Sequence, residues 1–362
     1  MQLEKLQIQG YRNLREVSLD TSAQFVVFHG DNGQGKTNLI EAICSLATLK
    51  SFRTHRISDQ IQWGASKAVV QGTISDQGHR RKLILSLSKE GRKATIDGKS
   101  PHRLAEYFES IRAVVFAPEH VDLIRGVPEG RRSFVDRGCF TLQPSYLSLV
   151  RDFKRLLSQR AVLLRLDRFD LAHMEVLEDQ LARSGARISF KRRAFVQGLA
   201  EPFGELHTQL TGCSDVGIRY RGCLGEGSEE EQAEVFRHLL AEKRQDESLR
   251  GKNLVGPQRD DLLVSLNGQN ARYFASQGQA RALVLSLKLA ELTLARRHGA
   301  KPLFLLDDLS SELDAKRRQK LVEILDEKAL QVFVSTTNLK ILEKGVENTL
   351  KYQVVEGSIS QT

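Results

Sequence analysis

The sequence predicts an α/β fold with a helical insertion, and three observations support this prediction. An apolar run at residues 25–28 predicts a buried strand, and helical spacing begins at once after Gly35, with apolar residues from 39 to 46 on one face. Alternating apolar residues between 69 and 96 predict an antiparallel sheet. From Tyr146 onward the spacing is helical, until a β-rich segment resumes near Gly256.

Size and charge narrow the class of protein. A chain of 362 residues exceeds what one compact core usually takes, so two lobes are expected. The 54 Lys and Arg residues exceed the 45 Asp and Glu residues, which favours a polyanionic partner such as DNA. The four cysteines have no zinc-site spacing, the first residues do not resemble a signal peptide, and no apolar run is long enough for a membrane span. These features predict a soluble cytoplasmic protein with no membrane partner.

The strongest chemical signal is a glycine-rich motif that fits GxxxxGK[ST]. Its residues are Gly30, Asp31, Asn32, Gly33, Gln34, Gly35, Lys36 and Thr37. The motif lies between a predicted strand and a predicted helix, which is the context that a phosphate-binding loop requires. Glycines let the backbone approach phosphates, while Lys36 reaches the β- and γ-phosphates and Thr37 binds Mg²⁺. All eight residues are therefore predicted to bind ATP, with Lys36 also catalytic and Mg²⁺ as a cofactor.

Two adjacent carboxylates follow the apolar strand at residues 303–306. Asp307 is predicted to hold Mg²⁺ through water, as the acidic residue of a P-loop ATPase does. Asp308 occupies the position where ABC ATPases usually place the glutamate that polarises the attacking water. Asp308 is therefore the candidate general base.

A third motif separates ABC ATPases from other P-loop proteins. Ser276, Gln277, Gly278 and Gln279 stand just ahead of a strongly helical run, so the helix N-terminus and the Ser276 hydroxyl would face a γ-phosphate. In this class that phosphate belongs to the opposite protomer. Residues 310–314, Ser-Ser-Glu-Leu-Asp, are like the loop that lines the dimer seam. We therefore predict an ATP-dependent homodimer, with Ser276, Gly278 and Gln279 as nucleotide-binding residues.

Further motifs outside the ATPase core support a family resemblance. They are GYRNL at 10–14, NLIEA at 38–42, SFR at 51–53, PEGRR at 128–132 with Phe134 and Asp136, GPQRDD at 256–261, SQGQAR at 276–281, and LLDD at 305–308 with SELD at 311–314. With them the chain resembles the bacterial RecF family over nearly its whole length. The resemblance implies an ABC-type P-loop ATPase head with a helical insertion lobe, ATP-dependent dimerisation and slow ATP hydrolysis. It also implies binding to duplex or gapped DNA, and cooperation with RecR and RecO in loading RecA at gaps.

The expected lobes are residues 1–140 with the P-loop, a helical lobe at 141–255, and residues 256–362 with the other motifs. The chain departs from the ABC and family patterns at three places. Gln258 stands where the family often has histidine. No switch histidine occurs near residues 332–337, which leaves Thr336 or Thr337 as the γ-phosphate sensor, and Glu119 is the nearest polar residue to the missing Q-loop glutamine.

Three other classes of protein fit the sequence less well. An ABC transporter subunit would normally have a shorter insert and the switch histidine. A cohesion-type ATPase would separate its two halves by several hundred heptad-patterned residues, which this chain lacks. A GTPase would carry NKxD for guanine, and neither it nor a small-molecule kinase would explain Ser276.

DNA contacts are harder to assign, because phosphates require only Lys and Arg clusters. The candidates are Lys50, Arg53 and Arg56, residues 79–82, Arg131 and Arg132, and residues 191–193. With one Trp and 6% aromatic residues, a base-stacking platform is not evident, and backbone reading of duplex DNA is favoured.

Overall fold

The computed structural model describes residues 1–166, 170–308, 315–327, 330–339 and 348–362. Packing divides the chain into two compact units. The first comprises Met1–Val121, Glu205–Ser214 and Ser276–Thr362, and the second comprises Asp122–Gly204 and Asp215–Ala275. These boundaries differ from the sequence-based lobes, because residues 122–140 and 256–275 pack with the helical segment.

The described residues form fourteen strands and ten α-helices. The strands are β1 (Gln2–Tyr11), β2 (Leu14–Asp20), β3 (Phe25–His29), β4 (Lys67–Asp76), β5 (His79–Ser88), β6 (Gly91–Ile96), β7 (Ala113–Phe116), β8 (Val216–Arg221), β9 (Asp261–Leu266), β10 (Gln269–Asn270), β11 (Leu303–Leu306), β12 (Val332–Thr336), β13 (Thr349–Val355) and β14 (Ser358–Gln361). The helices are α1 (Lys36–Thr48), α2 (Leu104–Ser110), α3 (Asp122–Arg125), α4 (Pro128–Leu142), α5 (Tyr146–Leu163), α6 (Leu171–Thr211), α7 (Glu229–Arg250), α8 (Ala271–Phe274), α9 (Gln277–Arg297) and α10 (Ala315–Glu327). None of the described helices is long and apolar enough to cross a lipid bilayer.

A six-stranded sheet in the first unit positions the motifs. Its strand order is β14-β13-β3-β12-β11-β7, and every pair is parallel except β13 with β14. All four residues of β11 and four of the five in β3 are buried, as expected for parallel strands covered on both faces. The carboxyl ends of parallel strands meet at one edge of a sheet. The loop after β3 and the two aspartates after β11 therefore come together there.

A second sheet in the first unit confirms the antiparallel sheet expected from the alternating sequence. Its order is β2-β1-β4-β5-β6, with antiparallel pairing throughout. Buried and less buried residues alternate along β4 from Ala68 to Ile74, so one face of the strand packs inward.

The second unit is mainly helical, with a three-stranded sheet of order β10-β9-β8. Helix α7 begins inside an acidic stretch at residues 226–234. Ser228 caps this 22-residue helix, and the Glu231 side chain completes a capping box. The acidic residues start the helix because negative charge is favourable at a helix N-terminus.

Candidate nucleotide-binding site

The loop between β3 and α1 adopts a conformation that depends on its glycines. Gly30, Gly33 and Gly35 have φ values of 146°, 79° and 115°, a region that side chains rarely allow. A Cβ atom at Gly30 would also lie 2.4 Å from the carbonyl oxygen of Val354. The motif therefore forms a tight turn that leads directly into the N-terminus of α1, as predicted for a phosphate-binding loop.

Lys36 lies on the inside of this loop. Its Nζ donates hydrogen bonds to the carbonyl oxygens of Gly30 at 2.8 Å and Asp31 at 2.6 Å. Burial lowers the pKa of the Lys36 ammonium, although the nearby charges of Asp307 and Asp308 oppose this shift. An ammonium held by two carbonyls can exchange these contacts for phosphate oxygens without a large change in position.

The structure brings Thr37 and Asp307 together from opposite ends of the sequence. The Thr37 hydroxyl donates to Asp307 Oδ1 at 2.9 Å, and the Ser335 hydroxyl donates to the same oxygen at 2.7 Å. Burial raises the pKa of the Asp307 carboxyl, while these two hydrogen bonds lower it and the charges of Glu119 and Asp308 raise it further.

These oxygens fit a magnesium ion. A hydroxyl and a carboxylate are the hard ligands that Mg²⁺ prefers, and a nearby cation would favour the ionised form of buried Asp307. Within the described part of the chain, no group of three or more His, Cys, Asp or Glu side chains could hold a metal on its own. Thr37 and Asp307 would then supply only part of the coordination shell, with water and nucleotide phosphates supplying the rest.

Asp308, the residue after Asp307, has an unusual backbone conformation. Its φ of 53° lies in the left-handed region, which is uncommon for residues other than glycine and is often found at functional sites. Its backbone N–H donates to Ser335 Oγ at 2.8 Å. Ser335 therefore fixes both aspartates, although the sequence analysis did not select it.

The role of Thr336 or Thr337 as γ-phosphate sensor stays a prediction. The Thr336 hydroxyl donates to the Asn338 carbonyl oxygen at 3.2 Å and accepts from the Asn338 N–H at 3.1 Å. Successive residues of a strand point to opposite faces, so Ser335 and Thr336 cannot serve the same site. The pairing of Leu306 with Val334 places residue 335 beside residue 307, a register that the sequence alone does not provide.

Residues distant in sequence brace the P-loop around Gln34. Asn13 Nδ2 donates to the Gln34 carbonyl at 3.1 Å, and the backbone N–H of Gly357 donates to the same oxygen at 2.9 Å. The Glu356 N–H donates to the Gln34 side chain at 2.6 Å. The turn between β13 and β14 therefore stabilises the loop. Asn13 was found only as part of the 10–14 motif, and no sequence signal indicated the C-terminal turn.

Ser276 caps α9 and lies on the protein surface. Its hydroxyl accepts from the Gln279 N–H at 3.2 Å, and Gln279 Oε1 accepts from the Ser276 N–H at 2.8 Å. Residues 276–279 are all exposed, whereas most of α9 beyond them is buried. Among the described residues, no hydrogen bond joins Ser276 to the P-loop. Residues 310–314, the predicted seam loop, lie outside the described residues.

Several of the predicted DNA contacts have partners inside the chain. Arg131 is 4% exposed and forms a bidentate ion pair with Asp261 at 2.7 and 2.9 Å, so it is not a surface residue. Arg192 is similarly buried against Asp136. Arg53, Arg80 and Arg81 contact Glu41, Glu4 and Ser110, respectively. A count of charges overestimates the basic surface because it cannot show these pairings.

Comparisons with known proteins agree with this geometry. The family model described as RecF/RecN/SMC N terminal domain matches residues 2–361. A protein of Geobacter sulfurreducens named DNA replication and repair protein RecF is 40% identical over 99% of this chain and 100% of its own length. A protein of the same name from Anaeromyxobacter is 39% identical over 99% of this chain and 98% of its own. The chain belongs to the RecF family of DNA replication and repair proteins.

Solved structures confirm the predicted ABC-type head. The recombination mediator protein RecF of the RecFOR pathway, solved with ATP, superposes with a TM-score of 0.90 at 25% identity, covering 100% of this chain and 97% of that one. An Smc head domain from Pyrococcus furiosus gives a TM-score of 0.58 at 15% identity, covering 100% of this chain and 96% of that one. The Smc likeness shows a shared fold and nothing more.

Proposed function

We propose that this chain is an ATP-gated DNA-binding switch of recombinational repair, in which each ATP site is completed by a second copy. One observation carries the proposal: the P-loop, Thr37 and Asp307 lie together at one edge of the sheet, while the capped N-terminus of α9 at Ser276 is exposed to solvent. An exposed helix N-terminus favours negative charge, and the γ-phosphate of a nucleotide held by another protomer supplies it.

Within one protomer, the site residues have separate roles in binding and hydrolysing ATP. The P-loop backbone and Lys36 bind phosphates, and Thr37 and Asp307 would hold Mg²⁺, which would supply positive charge to the phosphates. Asp308 orients and deprotonates the attacking water. ATP closes two copies around DNA, and slow hydrolysis opens them.

The biological setting follows from the relatives. The RecF structure solved with ATP is described as a recombination mediator of the RecFOR pathway. We extend this role to the present chain: it binds gapped or duplex DNA, works with RecR and RecO type proteins in the cytoplasm, and so assists RecA loading at gaps. The full-length identity to the named relatives supports this extension.

The test is complementation between two defective variants. Lys36→Met removes the phosphate-binding cation, and Ser276→Arg places a bulky side chain where the partner's γ-phosphate would sit. We expect each variant alone to lose ATP-induced dimers and hydrolysis, with Ser276→Arg keeping nearly normal ATP affinity as a monomer. Mixing the two should restore roughly one working site per heterodimer, since each supplies the half that the other lacks.

Ser228→Arg provides a matched control, because Ser228 caps α7 with the same capping box. Loss of an N-cap costs about 0.5–2 kcal/mol, so a stability effect should appear in both variants and a dimerisation effect only in Ser276→Arg. Loss of monomer ATP binding in Ser276→Arg, or no recovered hydrolysis in the mixture, would show that the site is not shared.

A further inference from the structure

The only tryptophan of the chain is fully exposed at the tip of a tight turn. Trp63 is 99% exposed. It occupies the second position of a turn in which the Ala65 N–H donates to the Gln62 carbonyl at 2.9 Å. Gly64, at the third position, has a φ of 82°, which a type II turn requires there. An indole buries a large apolar surface when it is covered, so exposed Trp63 offers a large contact area to a ligand.

Hydrogen bonds and a β-bridge attach this turn to the end of β1. The Gln62 N–H donates to the Gly10 carbonyl at 2.8 Å, and Ile61 forms a β-bridge with Tyr11. Gly10 leaves the space that the returning chain needs, since a Cβ atom there would lie 2.8 Å from the Lys67 carbonyl oxygen. A ligand that stacks on Trp63 would therefore meet a ring on an ordered support, with little backbone entropy left to lose.

Basic side chains surround this end of the five-stranded sheet. Here β1 ends, β2 and β4 begin, and the β5–β6 turn closes, as the pairing of Lys67 with Ser88 shows. The exposed cations at this end are Arg15, Lys67, Lys89 and Arg92, against the exposed acids Glu16 and Glu90. No ion pair among the described residues involves any of these four cations.

The opposite end of the same sheet is different. There the Met1 amino group pairs with Asp76 at 2.8 Å, and Arg80 pairs with Glu4 at 2.8 Å. The Met1 amino group and Arg80 are thus paired within the chain, whereas the four cations at the Trp63 end form no ion pair among the described residues. A ligand that satisfies both the aromatic ring and the cations must combine a flat apolar face with repeated negative charge.

We propose that Trp63 stacks on an unpaired nucleobase of DNA while Lys67 and its basic neighbours contact the adjoining phosphates. The inference rests on the proposed DNA-binding function and adds to it a contact specific for single-stranded segments. Aromatic stacking tolerates any base, because every base has a π-face. This surface revises the expectation of backbone reading alone: one tryptophan suffices for stacking when it is presented on a rigid turn among cations.

The position of the single tryptophan makes the test direct, since intrinsic tryptophan fluorescence reports on residue 63 alone. Three DNAs should be titrated into the full chain with ATP and Mg²⁺: a duplex with a single-stranded tail, the same duplex with an abasic tail of equal length, and the blunt duplex. Binding is followed independently by anisotropy of labelled DNA. We expect strong quenching with the normal tail and little with the abasic tail, although both carry the same phosphates.

Two variants separate stacking from charge. Trp63→Ala should weaken binding to the tailed duplex by about 5- to 150-fold, the range for loss of one stacked base, and should leave the blunt duplex and the salt dependence unchanged. Lys67→Gln should weaken all three DNAs and reduce the salt slope by about one. The exposure of Trp63 means that its removal takes nothing from the core.

The outcomes are distinguishable. DNA binding with unchanged tryptophan emission, or equal quenching by the abasic tail, would overturn this inference and leave the proposed function intact. Emission that changes with ATP alone would overturn it in favour of a second copy as the occupant. Failure to bind any of the three DNAs would overturn the proposed function, and this inference with it.

Discussion

Asp307→Asn should stabilise the protein in the absence of nucleotide while it disables the site. Thr37 and Ser335 both donate to Oδ1, and an asparagine side chain keeps an acceptor oxygen there. Hydrogen bonds to a charged group contribute about 1.5–3 kcal/mol and neutral ones about 0.5–1.5, so the substitution loses about 2 kcal/mol over the two bonds. Burial of the charge outweighs that loss, because the pKa of Asp307 is raised overall.

The net effect scales with the shift in pKa. Each unit by which the folded state raises the pKa is worth about 1.4 kcal/mol in favour of a neutral side chain. For domains of about 150–250 residues, 1 kcal/mol moves the melting midpoint by about 2–4 °C. We therefore expect the variant to melt at a higher temperature than the wild type near neutral pH.

The stability of the wild type relative to the variant should depend on pH. A carboxyl whose folded pKa lies above its unfolded value contributes stability that is present below the unfolded pKa, about 3.9, and lost as pH rises through the folded pKa. The advantage of Asp307→Asn should therefore grow from acid to neutral pH. Asp152→Asn, at an exposed position, is the control and should change stability by no more than about 0.5 kcal/mol.

The assay is thermal unfolding of the full chain, with and without ATP and Mg²⁺, at several pH values. With both ligands present the wild type should melt above the variant, because a ligand stabilises only a protein that can bind it. A variant that melts below the wild type near neutral pH without nucleotide would refute the reasoning. The reasoning would also be refuted if the stability advantage of Asp307→Asn did not decrease towards acid pH.

Two further predictions follow from the same structure. Asp308→Asn should still bind ATP but hydrolyse it about 10²- to 10⁴-fold more slowly, with longer-lived dimers; faster dimer dissociation would contradict this. Arg131→Met should remove the bidentate partner of buried Asp261, which keeps only the longer contact to Arg221 at 3.6 Å, and should cost about 3–5 kcal/mol. The salt slope of DNA binding should stay unchanged; a reduced slope would show that Arg131 contacts DNA. Although burial opposes it, Arg131 lowers the pKa of Asp261, so the pair's contribution should fade as pH falls through that lowered pKa.

The P-loop and Asp307 could be predicted because each depends on a local pattern. The buried strand β3, the glycine motif and the helix after Gly35 identify the phosphate-binding loop. The buried strand β11, which ends just before Asp307, identifies the acidic residue. Parallel strands then bring the two together without further information, since their carboxyl ends share one edge. The contact between Thr37 and Asp307, 270 residues apart, therefore required no knowledge of the intervening fold.

Ser335, the C-terminal brace of Gln34 and the burial of Arg131 could not be predicted in this way. Each depends on register or on pairing between distant segments, and a shift of one residue along β12 would turn Thr336 rather than Ser335 towards Asp307. In the sequence alone Arg131 resembles a surface cation, and only the structure shows its ion pair with Asp261. Sequence patterns specify which elements form, whereas contacts across elements decide which polar side chains remain available to a ligand.

The two halves of the proposed ATP site have opposite electrostatic requirements, and these would explain a switch. Asp307 is a buried acid whose ionised form is disfavoured without a cation, and α9 presents an exposed N-terminus that favours an anion. Among the described residues no hydrogen bond joins the two halves, and under the proposed function one ATP with Mg²⁺ between two copies would satisfy both. Dimerisation would then be coupled to nucleotide, because each ligand charge would meet a different protomer. Hydrolysis would remove the γ-phosphate that joins them, and the proposed interface would lose the contact that holds it closed.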